Sequence, residues 1–117
     1  MKEVVAVIRA NMMNETKHAL ADAGVASMTA DHVLGRGMSR YHETITHGEE
    51  AMLNQSQRLI AKRMLFIVVP NKQVDKVVKT LIKVNQTGKT GDGKIWVMSV
   101  SEAVRIRTGE NGDTAIS

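Results

Sequence analysis

The chain has 117 residues, 43% of them hydrophobic, a formal net charge of +4 and no cysteine. That length buries one core and reads as a single domain over 1-117, while the missing thiols exclude disulfides and thiolate chemistry and fit a cytoplasmic protein. No apolar run approaches the roughly 20 residues that span a bilayer, Met1-Lys2-Glu3-Val4 carries no signal-peptide pattern, and basic charge interleaved with acids is weak evidence for nucleic acid.

Lys2–Arg9, rich in valine and isoleucine, reads as a strand buried on both faces. Asn11 or Asn14 is placed to cap a helix that sends Met13, Leu20 and Ala23 to the core and stops at Gly24. Val25–Leu34 reads as a weaker strand ended by Gly35-Arg36-Gly37. From Met38 to about Ala61 the chain is polar and lacks an apolar stripe, which is too long for a plain connector. Met64–Val69 is a continuous apolar strand closed by Pro70. Asn71 then caps a helix with Val74, Val77, Val78, Leu81 and Ile82 at helical spacing. Gln86-Thr87-Gly88-Lys89-Thr90-Gly91-Asp92-Gly93-Lys94 leads into a strand over Ile95–Val100, and a polar tail follows.

The glycine-rich segment is the most informative of these. Glycines let backbone N–H groups turn towards an anion, and lysines supply countercharge. Arg105 and Arg107 stand two apart, so an extended segment presents both from one face. Together they describe a site for a compact polyanion, most simply a nucleotide polyphosphate. Gly88 to Lys94 satisfies the first seven positions of the Walker A pattern, but Ile95 replaces the magnesium-binding Ser or Thr and a strand, not a helix, follows. Binding is therefore the better reading than hydrolysis, against the alternative of a plain hairpin with solvated lysines.

The order strand-helix-strand, insertion, strand-helix-strand predicts an α+β, ferredoxin-like double βαβ fold with an antiparallel sheet. Helices cover one sheet face, and the apolar side chains of the other point to an oligomer.

Thr87-Gly88-Lys89-Thr90-Gly91-Asp92-Gly93-Lys94-Ile95 followed by Arg105-Ile106-Arg107-Thr108-Gly109-Glu110, with Val68-Val69-Pro70 and Gly24-x3-Met28-Thr29, resembles the PII signal-transduction proteins of nitrogen metabolism. The resemblance covers Lys2 to Ile116. It implies a trimer with ATP or ADP in the cleft between adjacent subunits. Gly91, Asp92, Gly93 and Lys94 would hold phosphates, Arg105 and Arg107 would complete the countercharge, and Thr29, Gly35, Gly37 and Val68 would line the nucleoside and the base of the loop. Lys62 matches the lysine that pairs with a carboxylate of 2-oxoglutarate, and Arg9 approaches the same ligand. The stretch from about 38 to 61 corresponds to the T-loop, the arm that touches target proteins.

Three departures stand out. Met38 and Ser39 replace the usual Arg-Gln, and the shorter serine weakens the usual metal-bridged 2-oxoglutarate site and leaves the need for Mg2+ open. Ala51 takes the place of a modifiable tyrosine. The stretch after Ala51 is a few residues longer than usual, and Phe66 stands at a commonly acidic strand position. With Leu59-Ile60-Ala61-Lys62-Arg63 and Lys83-Val84-Asn85-Gln86-Thr87-Gly88, these features resemble the second, longer member of the paired PII-like proteins of nitrogen fixation. That subgroup implies inhibition of dinitrogenase when nitrogen is plentiful, as a homotrimer or a hetero-oligomer with a sister protein. An ammonium channel or glutamine synthetase is the alternative target.

His42, His47, Glu43, Glu49 and Glu50 match no standard metal spacing. Met13, Met28, Met64 and Met98 fall at apolar positions and read as core. Lys72, Lys76, Lys79 and Lys83 line one side of the second helix as a solvated face. A nucleic-acid module lacks its stacking aromatics, with only Tyr41, Phe66 and Trp96 available, and an enzyme lacks a placed nucleophile and base.

Overall fold

The computed structural model describes residues 1–37 and 59–117. Ser39, Met38, Ala51 and the greater part of the expected T-loop lie outside the described residues. Four strands, β1 (Lys2–Arg9), β2 (Thr29–Gly35), β3 (Ile60–Val69) and β4 (Lys94–Ser99), form one sheet in the order β2-β3-β1-β4. Every neighbouring pair is antiparallel. Helices α1 (Met13–Asp22) and α2 (Val74–Asn85) connect the strands, and a short α3 (Asp113–Ile116) ends the chain. This is the expected double βαβ arrangement.

Strand alternation sets the two faces. Val4, Ala6 and Ile8 of β1 and Leu65, Ile67 and Val69 of β3 point to the helices and join Leu20, Val77 and Leu81 in the core. Central β1 is covered on its other face as well: Val5 is only 2% exposed, lying in register between Phe66 and Trp96. Trp96 and Met98 on that open face remain 39% and 47% exposed, so Met98 is not the core residue its apolar position suggested. The edge position of β4 is the reason, because only β1 flanks it. Ile82 is likewise exposed rather than buried, because α2 packs on β1 and α1 and leaves the helix-side face of β4 largely uncovered. Lys72, Lys76, Lys79 and Lys83 are all exposed, as a solvated face requires.

Helix ends differ from expectation in instructive ways. Neither Asn11 nor Asn71 caps a helix. Each begins or lies within a 3-10 turn, Ala10–Met12 or Asn71–Gln73, that runs straight into the following α-helix without a side-chain cap. The Gln73 N–H donates to the Pro70 carbonyl at 2.9 Å, which satisfies a terminal donor from the backbone alone. At the far end of α1, Val25 N–H donates to Leu20 carbonyl at 2.8 Å and Gly24 N–H to Ala21 carbonyl at 2.9 Å, with Gly24 at φ +86°. That is a Schellman ending, with the buried Val25–Leu20 pair as its apolar contact. Since Val25 closes the helix, β2 begins only at Thr29.

β3 starts earlier than its apolar run. Ala61, Lys62 and Arg63 pair with Leu34, Val33 and His32, and their mixed polarity hid the strand. Between the helices, the Thr16 hydroxyl donates to Met12 carbonyl at 2.7 Å, and Asn85 Nδ2 donates to the Thr16 hydroxyl at 3.1 Å. A buried polar link thus fastens α1 to α2.

Candidate functional site

The glycine loop between α2 and β4 is organised by one carboxylate. Asp92 Oδ1 accepts from the Thr87 hydroxyl at 2.5 Å and from Arg9 Nη1 at 2.6 Å. Its Oδ2 accepts from the Thr87 N–H at 2.8 Å and the Gly88 N–H at 3.1 Å. The Thr87 hydroxyl first, then the Arg9 guanidinium and the backbone N–H groups of Thr87 and Gly88, hold the Asp92 carboxyl well below the usual carboxylate range. Arg9 Nη2 also donates to the Thr90 carbonyl at 2.8 Å, and Lys62 Nζ donates to the Gly91 carbonyl at 3.1 Å. Arg9 and Lys62 are register partners on β1 and β3, so the sheet itself fixes where both cations meet the loop.

Of the expected site residues, Arg9, Lys62, Gly91, Asp92, Gly93 and Lys94 therefore come together. Gly35 stands beside them on β2, where an added Cβ would lie 3.5 Å from Lys62 Cγ. Beside the loop, Val78, Leu81 and Ile82 of α2 and Ile95 and Val97 of β4 line an open, mostly apolar cleft of about 520 Å³.

A second group forms elsewhere. Thr29, Val68 and Arg105 line a cleft of about 340 Å³ with Met28, Phe66 and the C-terminal Ile116 and Ser117. Thr29 pairs with Phe66 at the start of β2, whereas the loop meets the other end of that strand, where Val33 pairs with Lys62 and Gly35 with Ile60. One chain does not unite the two groups. Among the described residues nothing lies within reach of a side chain at Gly37, and exposed Arg107 belongs to neither group.

Arg105 and Arg107 are not presented from an extended segment. Val104 bridges Asn111, and residues 106–108 form a turn closed by Gly109 N–H to the Arg105 carbonyl at 2.7 Å, with Gly109 at φ +74°. Arg105 is tied to the tail: Nη1 donates to Glu110 Oε1 at 3.1 Å, and Nη2 to the Thr114 and Ser117 backbone oxygens at 2.9 and 3.0 Å. A four-residue helix such as α3 does not hold itself together. Arg105→Ala is therefore expected to raise amide hydrogen exchange over 113–117 by at least about tenfold, since hydrogen bonds to a charged group contribute about 1.5–3 kcal/mol. Core amides of β1 and β3 should stay protected; unchanged exchange in the tail would show that the arginine does not hold it.

Sequence reasoning missed Thr87 and Thr90 as partners within the loop. No local rule signalled them, since Asp92 reaches back to the N–H and hydroxyl of Thr87, whereas the usual Asp turn bonds backbone further along the chain.

The sequence profile of the family described as nitrogen regulatory protein P-II matches residues 1–110. The chain is 47% identical to nitrogen fixation nifHD1 region GlnB-like protein 2 of Methanosarcina barkeri, covering 99% of each chain. It is 44% identical to the nifHD region GlnB-like protein 2 of Methanobacterium ivanovii, again over 99% of each. Nitrogen regulatory protein P-II 1 of Escherichia coli K12 is 40% identical, with 99% of this chain and 100% of that protein covered. Among solved structures, Arabidopsis thaliana PII bound to citrate matches with a TM-score of 0.77 at 31% identity, over 98% of this chain and 88% of that one. The protein belongs to the P-II family of nitrogen regulatory proteins. Among the described residues no helix is long and apolar enough to cross a membrane.

Proposed function

We propose that the chain is a signal-transduction protein that binds ATP or ADP together with 2-oxoglutarate and controls a target through the 38–61 arm. The target we assign is dinitrogenase, inhibited when nitrogen is sufficient. The observation that carries this reading is the glycine loop, held open and shaped against β1 and β3 by Asp92, Arg9 and Lys62. Shape set in advance lowers the ordering cost of binding. Its division from the Thr29–Val68–Arg105 cleft supports a nucleotide site closed between copies, with phosphates on the loop of one subunit and the nucleoside against the β2 side of the next. Apolar side chains on the open sheet face, Trp96 and Met98 among them, supply surface for that assembly.

For the target, support comes from the nitrogen-fixation region named for the two GlnB-like relatives. The likeness to Escherichia coli P-II 1 favours a second reading, a general regulator of an ammonium channel or glutamine synthetase. The citrate bound to the plant PII is a polycarboxylate, like 2-oxoglutarate, and fits a family site for small acids.

Calorimetric titration with ATP, with and without 2-oxoglutarate and Mg2+, tests the sensor. Saturable ATP binding strengthened by 2-oxoglutarate is expected; no heat in any combination overturns it. A pull-down from nitrogen-fixing cells is expected to recover dinitrogenase, and recovery of a transporter alone would favour the general regulator.

A further inference from the structure

We propose that Arg9 and Asp92 are a positioning pair that aims the glycine loop's N–H groups outward before any ligand arrives, and that neither side chain touches the bound polyphosphate. The proposal rests on the phosphate-binding reading of the loop.

Occupancy of the carboxylate is the first argument. An ionised carboxylate offers about four acceptor sites. Asp92 has four donors on it: the Thr87 hydroxyl, the Thr87 and Gly88 N–H groups and Arg9 Nη1. None of its acceptor sites is left over for the inner shell of a metal ion. Its charge is matched by the Arg9 guanidinium at 2.6 Å, so an arriving polyanion meets a neutral pair instead of a lone carboxylate.

Peptide geometry supplies the second. In a planar trans peptide the C=O and the following N–H point in opposite directions. Arg9 draws the Thr90 carbonyl towards the sheet, which turns the Gly91 N–H away from it. Lys62 draws the Gly91 carbonyl the same way, which turns out the Asp92 N–H. Two successive N–H groups aimed outward form an anion-binding concavity. Arg9, at the end of β1 and in register with Lys62 on β3, spans the loop by holding Thr90 with one nitrogen and Asp92 with the other. A lysine presents no such fork. The two basic residues thus act from behind the loop, on its carbonyls, and leave its outward side to the ligand.

ATP titration of Asp92→Asn separates this pair from a bystander by the sign of the effect. A carboxylate merely near the phosphates repels them, so its removal would tighten ATP binding. A positioning carboxylate, once lost, leaves the loop amides undirected, and binding is expected to weaken by about 10- to 100-fold, the range set by hydrogen bonds to a charged group. Arg9→Ala should weaken it to a similar degree, Arg9→Lys less, and the double variant no more than the worse single one, because both act through one contact. Tighter or unchanged binding in Asp92→Asn, or additive losses in the double variant, overturns the proposal. Amide exchange over 87–93 without nucleotide provides a readout independent of the ligand. Faster exchange there in Arg9→Ala, with β1 and β3 amides unchanged, supports the clamp even if the unmodified protein binds no ATP, in which case only the phosphate reading fails. Exchange unaltered by Arg9→Ala overturns the clamp itself.

Discussion

Gly93→Ala is expected to push the glycine loop off the sheet and to destroy the site built on it. Gly93 has φ +113°, a conformation that L side chains rarely adopt. A Cβ there would overlap the Val7 carbonyl oxygen and come within 3.0 Å of the Val7 carbonyl carbon and 3.3 Å of Ile8 Cα. Those atoms are backbone of β1, where Val7 is paired with both β3 and β4 and Ile8 with β3. Backbone strain of about 1–3 kcal/mol and overpacking of about 1–3 kcal/mol act together. The chain must therefore lose much of the 5–15 kcal/mol typical of a domain or shift the start of β4, roughly the register Val7↔Lys94. Urea unfolding and ATP titration measure the two consequences. Gly88→Ala is the control for the urea measurement, since Gly88 has φ +81° but open space around it among the described residues, and its stability should fall only by the backbone part. Equal losses in the two variants would mean that close approach to β1 is not the cause.

Leu81→Ala is expected to cost about 2–5 kcal/mol, the range for emptying a buried leucine position. Leu81 is 1% exposed and, with Val77, forms the buried anchor of α2 against the sheet. Its loss acts on the site as well, because α2 ends at Asn85 and the loop begins one residue later at Gln86–Thr87, whose hydroxyl and N–H hold Asp92. A helix that shifts carries Thr87 with it. Urea midpoints should fall for Leu81→Ala and hardly move for Ile82→Ala, whose side chain is 42% exposed on the same helix. Matching losses at both positions would contradict the packing described for α2.

Strand alternation and helical spacing made the element order legible without coordinates, since burying an apolar face imposes its period on the sequence. Lys2–Arg9 and the Val77/Leu81 stripe fell where their patterns put them. The boundaries that moved did so for local backbone reasons. Val25 closes a Schellman turn instead of opening a strand, and Pro70 and Asn71 lead through a 3-10 turn. Ile60–Arg63 joins β3 although its polarity alternates on neither face, because partners on β1 and β2 supply hydrogen bonds that do not depend on side-chain type.

For the site, composition and spacing alone determined that a glycine loop with lysines precedes the last strand, and that arginines follow it. Residue types carry charge and backbone freedom wherever they end up, so an anion-binding chemistry was readable in advance. Tertiary structure alone decided which groups serve it. Register placed Arg9 and Lys62 side by side, more than fifty residues apart in the chain, and put both under the loop. The turn at 106–108 tied Arg105 to the tail and not to the loop, and strand register set Thr29, opposite Phe66, several residues along β2 from the Lys62 end that meets the loop. Those are long-range facts, fixed by strand pairing and chain reversal, and no local pattern of residues encodes them.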